Sequence, residues 1–159
     1  MAAKIIQINV NAEGGVPKLP VEKTRLGFNN VEGDKQRDRR YHGGPKRAVC
    51  LYSLEILEAL RAEGHPIESG WTGENLLISG LDWDAMVPGV QLQIGAALVE
   101  ITSYANPCKH IGYAFVDGDF NRIGQKKHAG WSRIYARVLT EAEVKLGDEV
   151  SVLPNEPDA

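Results

Sequence analysis

"PGVQLQIGAALVEITSYANPCKHI", Pro88 to Ile111, is the stretch in which the fold of this chain is first readable. Val90, Leu92 and Ile94 alternate with glutamines, the two-residue period of a half-buried strand. "ALVEIT", Ala97 to Thr102, is a second short strand candidate. Pro107 ends the extended run, because proline has no N–H to give to a ladder. Cys108 follows it and so belongs at a strand end or loop mouth rather than inside a sheet. Whether its thiol is an incidental small hydrophobe or a held ligand decides most of the functional reading.

Moving outward, "LGDEVSV" (Leu146 to Val152) repeats the local form of "PGVQLQI" (Pro88 to Ile94), with glycine in a turn and then apolar residues at alternate positions. Such turns lead into barrel strands. "KIIQINV" (Lys4 to Val10) reads as a strand with Ile6, Ile8 and Val10 on one face, broken afterwards by Gly14, Gly15, Pro17 and Pro20. Lys23 to Arg47 is polar, glycine-punctuated and loop-like. "AVCLY" (Ala48 to Tyr52) has strand length, and Ser53 is placed to cap the helix "LEILEALRAEG". Leu54, Leu57, Ala59 and Leu60 keep helical spacing there, Glu55 suits the helix dipole, and Gly64 with Pro66 ends it. "NLLISG" (Asn75 to Gly80) and "SRIYARVL" (Ser132 to Leu139) are further strands, and Asp117 to Gly130 has room for one short helix. Many short strands with one firm helix predict a mainly β chain with a few helices, a barrel rather than a layered parallel sheet. One domain over residues 1–153 is expected, with 154–159 a disordered tail.

At 159 residues, 43% apolar and 25% charged, the chain can bury a real core. A net charge of −3 argues against a nucleic-acid binder. The N-terminal apolar stretch is too short for a signal peptide and no segment has the length of a membrane span, so a cytoplasmic location is expected. Two cysteines, Cys50 and Cys108, make neither a disulfide framework nor an iron–sulfur cluster. No GxGxxG or Walker-type motif is present, so redox chemistry would need a borrowed cofactor and a separate electron donor.

Three local features invite chemistry. Lys35, Arg37, Arg39, Arg40, Lys46 and Arg47 crowd one loop, opposed only by Asp34 and Asp38. His42, Gly43 and Gly44 lie within it, and glycine lets successive N–H groups turn toward an anion such as phosphate. On spacing alone a solvated loop explains this as well. "TGENLLISG" places Asn75 where its amide would either close a turn or face a polar heterocycle. Cys50, among apolar neighbours, reads as core. Cys108 sits beside Lys109 and His110, and a nearby positive charge favours thiolate. Scattered His42, His65 and His128 supply no zinc spacing, so position alone leaves Cys108 open between a structural and a functional thiol.

Read together, "GDKQRDRRYHGGPKRAVCLYSLE" (Gly33 to Glu55), "GENLLISGLDW" (Gly73 to Trp83), "NPC" (Asn106 to Cys108) and "YARVL" with "VKLGDEV" (Tyr135 to Val150) resemble the MOSC family. That family takes its name from the C-terminal domain of molybdenum-cofactor sulfurase. The resemblance implies a MOSC-type β-barrel in a small stand-alone member of bacterial type. It implies that Cys108 is the functional thiol, either ligating molybdenum beside a pterin dithiolene or carrying sulfur as a persulfide. Soft thiolate suits such a sulfur-rich centre. The molybdenum cofactor (molybdopterin) has a phosphate tail, for which Arg40, His42, Gly43, Gly44, Lys46, Arg47, Asn75, Asn106 and Arg133 are the implied contacts. Pyridoxal phosphate is not expected in this domain.

Relatives often carry arginine directly before the Asn-Pro-Cys triplet; here Ala105 stands there, so Arg133 or Lys109 would have to supply that charge. The implied activity is an oxidoreductase that reduces small N-hydroxylated compounds, with Cys108 as metal ligand, His42 or His110 delivering protons, and a separate electron-donor protein. The alternatives are a sulfurtransferase whose Cys108 takes sulfur from a cysteine desulfurase, or a cofactor chaperone without turnover. An edge strand would allow pairing into an oligomer, although nothing in the sequence demands it.

Overall fold

The structure, a computed structural model, describes residues 2–35 and 44–154. Ten strands, one α-helix and five short 3-10 helices appear among them. The strands are β1 (Ala3–Val10), β2 (Leu19–Val21), β3 (Lys23–Leu26), β4 (Val49–Ser53), β5 (Leu76–Ser79), β6 (Gln91–Ile94), β7 (Ala97–Tyr104), β8 (Ile134–Thr140), β9 (Ala142–Lys145) and β10 (Glu149–Val152). In hydrogen-bonded order, β10, β6, β7, β8, β4, β5 and β1 form a sheet that a β1–β10 pairing closes into a seven-stranded barrel, with β2 added outside on β1. Closure leaves those seven strands without a free edge.

Barrel neighbours are antiparallel except β4 and β5. A parallel pair needs a crossover, and helix α1 (Leu54–Ala62) lies in it. Leu57 and Leu60 turn inward from that helix, while Glu58 and Arg61 stay exposed. Ser53 caps it as its sequence implies: the Ile56 N–H donates to Ser53 Oγ at 3.2 Å. Ser53→Ala is expected to cost about 1 kcal/mol of unfolding free energy, measured by denaturant titration. One contiguous cluster that includes Ile5, Ile8, Leu51, Leu76, Ile78, Leu92, Ile94, Val99 and Ile101 forms the core. Each such side chain contributes about 1.5–3 kcal/mol by leaving water.

Three details differ from the sequence reading. In β1 the isoleucines that are fully buried are Ile5 and Ile8, whereas Ile6 and Val10 are half-buried. A register shift against β5 between Ile5 and Gln7 changes the phase of the strand, as a bulge does. The polar stretch after Lys23 is not loop throughout: β3 pairs with β9 from Lys23–Lys145 to Leu26–Ala142, burying Thr24 and Leu26. Finally, the region after Asp117 forms the 3-10 helices Val116–Gly118 and Phe120–Ile123 rather than one α-helix.

Candidate functional site

Strands β7, β8, β4 and β5 are consecutive around the barrel, and the segments at their neighbouring ends share one cleft of about 350 Å³. Cys108 and His110 enter it from the chain leaving β7, Arg133 and Tyr135 from the start of β8, Arg47 and Cys50 from the start of β4, and Thr72 and Asn75 from the approach to β5. Lys18, Asp34 and Lys35 complete the wall from the N-terminal third.

Strand β7 already ends at Tyr104, three residues before Pro107, and the backbone at Cys108 is still extended, with φ of −141° and ψ of 172°. Cys108 then caps the 3-10 helix Lys109–Ala114, its carbonyl accepting the Ile111 N–H at 3.1 Å. This thiol is partly exposed in the cleft, whereas Cys50 is buried. Burial pushes the Cys50 thiol up to about 11, so it is neutral at pH 7. Tyr135 lies opposite Cys50 in the β4–β8 register, and its phenol is raised to about 12 by burial and by the neighbouring Cys50. The Arg47 guanidinium lies 5.7 Å from the Tyr135 ring centroid.

Arg133 is the most informative side chain. It is only 6% exposed, and no carboxylate lies within 4 Å of it among the described residues. Its Nη1 donates to the Thr72 carbonyl and its Nη2 to the Ala105 carbonyl at 3.3 Å, while Nε has no partner. A buried guanidinium N–H left unpaired costs free energy until a ligand satisfies it. The segment before it is firmly held: Trp83 Nε1 donates to the Ser132 carbonyl at 2.8 Å, and the Tyr52 hydroxyl to the Trp131 carbonyl at 2.6 Å. Arg133 also reaches the backbone of Ala105, the position where the family resemblance led to the expectation of an arginine.

The other implied contacts divide. Arg47, Asn106, Cys108 and Arg133 line the cleft. Asn75 lines it too, but its amide is committed within the fold. Its Nδ2 donates to the Asn9 carbonyl at 3.1 Å and to Asp34 Oδ2 at 3.0 Å, and its Oδ1 accepts the Cys50 N–H at 3.0 Å. Asn75 therefore fixes the Cys50 backbone rather than offering both amide donors to a heterocycle. Lys46 is exposed and absent from the cleft wall. It belongs to the 3-10 helix Pro45–Arg47, where successive residues point about 120° apart, so Arg47 faces inward and Lys46 does not. Gly44 caps that turn with φ of 86°, a backbone that favours glycine. Arg40, His42 and Gly43 lie outside the described residues.

The sequence reading did not single out Lys18, Thr72 or Tyr135. Lys18 pairs with buried Asp34, which also accepts the Asn11 N–H at 2.8 Å. Nothing in "VPKLP" marks Lys18; the close approach of two chain segments brings it in. Gly70, with φ of 86°, makes that approach possible, since a Cβ there would collide with the Lys18 carbonyl oxygen.

Comparison with known proteins gives a consistent picture. The family model for the MOSC domain matches residues 38–151. YflK of Bacillus subtilis is 29% identical over 143 residues, spanning 89% of this chain and 64% of YflK. YiiM of Escherichia coli is 29% identical over 138 residues, 80% of this chain and 59% of YiiM. The chain thus spans less than two thirds of the length of either relative. Among solved structures, YiiM from Geobacillus stearothermophilus superposes with a TM-score of 0.73 at 24% identity, over 96% of this chain and 75% of the other. The YuaD protein of Bacillus subtilis gives 0.76 at 19% identity, over 96% of both chains. These two structures share the fold.

Proposed function

The chain belongs to the MOSC domain family, a family associated with molybdenum-cofactor binding, and on that premise we propose that its cleft holds this cofactor in an oxidoreductase for N-hydroxylated compounds. The observation that carries the reading is the buried, carboxylate-free Arg133 with its orphaned Nε, in the same cleft as the accessible Cys108 thiol.

The residues present fit the group. Among the described residues no cluster of three or more His, Cys, Asp or Glu side chains could hold a metal ion. A metal that arrives already ligated by dithiolene sulfurs needs only one protein ligand, and a thiolate is the soft donor for it. Cys108 would be that donor. Arg133, Arg47 and Lys35 supply positive charge for a phosphate tail, and Arg133 offers its free N–H.

When bound, molybdenum supplies the two-electron chemistry that removes oxygen from an N–OH group. The chain's own side chains do the rest. Cys108, four residues beyond β7, would hold the centre, and the closed barrel behind it would keep that anchor rigid. His110, exposed at the cleft, hands protons inward from its imidazole. Cys50 stays a neutral thiol and does not compete with Cys108 as a thiolate. Electrons come from a separate donor protein, because two cysteines cannot hold an internal cluster.

Purified from a host that makes molybdenum cofactor, the chain is expected to retain pterin and molybdenum near one per chain. With an artificial low-potential donor it should then convert a hydroxylamine or amidoxime to the amine or amidine. Metal and pterin at background would overturn the reading, as would one added sulfur on Cys108 after treatment with a cysteine desulfurase in a metal-free chain that reduces nothing. That second outcome belongs to a sulfur carrier.

A further inference from the structure

We infer that Glu74 is the buried counter-charge of Arg133 and a positioning residue for anion capture, so that the cleft takes up its anion together with a proton that lodges on the Glu74 carboxylate. This inference rests on the reading of Arg133 as an anion contact and adds to it a proton linkage.

Glu74 is fully buried in the loop before β5. Its Oε1 accepts the Gly70 N–H, and its Oε2 accepts the Thr72 hydroxyl at 2.6 Å. Thr72 in turn accepts Arg133 Nη1 on its carbonyl. One residue thus links the acid to the cation, with no direct ion pair between them. Burial raises the Glu74 carboxyl above the usual carboxylate range, opposed by the Thr72 hydroxyl, by the backbone N–H groups of Gly70 and of Glu74 itself, and by Arg133.

With the cleft free of anions, an ionised Glu74 offsets the charge of Arg133 at a distance. An anion on Arg133 Nε would add a second negative charge to the same poorly hydrated region. Two like charges there are costly, and the cheapest relief is protonation of the carboxylate from solvent. By reciprocity, lowering the pH must tighten the anion. Other titratable groups facing Glu74 do not change charge below about pH 9. Burial raises the Cys50 thiol to about 11 and the Tyr113 phenol to about 12, and raises the Tyr52 phenol further. Arg133 stays cationic. The Lys18–Asp34 pair and His110 also belong to the cleft and are common to every variant below.

Glu74→Gln tests the proposal without discarding the local geometry. A glutamine oxygen accepts the Gly70 N–H, and its amide donates to the Thr72 hydroxyl, which turns to accept. The probe is sulfate, whose charge is constant from pH 5 to 9, followed through the Arg133 Nε–H resonance of the full chain. In the unmodified protein, sulfate affinity should fall as pH rises through the Glu74 titration, and binding in weak buffer should consume protons. In Glu74→Gln that part of the pH dependence should vanish, with sulfate bound about tenfold tighter at the alkaline end, where the removed charge acted. Thr72→Val removes one donor from the carboxylate but keeps the carbonyl for Arg133, so it should move the transition to higher pH. A merely structural Glu74 predicts weaker binding in both variants with the pH profile unmoved, and that result overturns the proposal. Absence of any sulfate effect on Arg133 at every pH overturns both this linkage and the anion reading beneath it. Sulfate binding with an unchanged profile overturns the linkage alone.

Discussion

Replacing Cys108 by serine is expected to strip molybdenum from the purified chain while leaving pterin behind. The serine hydroxyl occupies the same place at the head of the 3-10 helix Lys109–Ala114 but offers a hard, protonated oxygen in place of soft thiolate. Arg133, Arg47 and Lys35 are untouched, so the phosphate end keeps its contacts. Metal content should drop more than about tenfold, and reductase activity with it, since losing a direct ligand costs at least as much as losing an outer partner of one. Metal analysis beside pterin fluorescence reads the two ends of the cofactor separately. Full metal retention in Cys108→Ser would remove the thiol from the proposal.

Arg133→Gln is expected to give the converse separation, with pterin and metal lost together. Glutamine keeps a donor for one of the two carbonyls, Thr72 or Ala105, but removes the charge and the unpaired N–H. A charged hydrogen bond of this kind is worth about 1.5–3 kcal/mol, or roughly 10- to 100-fold in affinity. Removing Arg133 relieves its own desolvation cost and leaves Glu74 without its counter-charge, which the buried acid can answer by taking up a proton, so the thermal midpoint should stay within a few degrees of the unmodified protein. Loss of cofactor at unchanged stability would mark Arg133 as a binding residue. Unchanged pterin content would remove it from the site.

The barrel was legible because most of its strands carry their own period-two signal and lie between glycine or proline breaks. What escaped reading depends on partners far away in the chain. The β1 bulge exists because β5 pairs with it out of step, and no residue between Ile5 and Gln7 announces that. Strands β3 and β9 are short and largely polar, and become strands by pairing with each other. The site divides in the same way. Cys108 was legible as lying beyond β7 because proline cannot continue a ladder, although the strand stops earlier, at Tyr104, and its neighbours gave the thiol a chemical setting. Lys18 and Asp34 could not be paired from sequence, because the contact depends on a Gly70 turn that no local pattern specifies. Asn75 was legible as important but not as a clasp, since its partners Asn9, Asp34 and Cys50 converge only in the fold.

The seam between β1 and β10, registered at Ala3–Val150 and Lys4–Glu149, joins the first of the barrel's strands in chain order to the last of them. Until Glu149–Val152 emerges, the sheet stays open along β6 and at the Ala3–Lys4 end of β1, the part of that flank that β2 does not cover. Such flanks recruit other strands, so translation arrested just before residue 149 should leave a sticky product that chaperones hold.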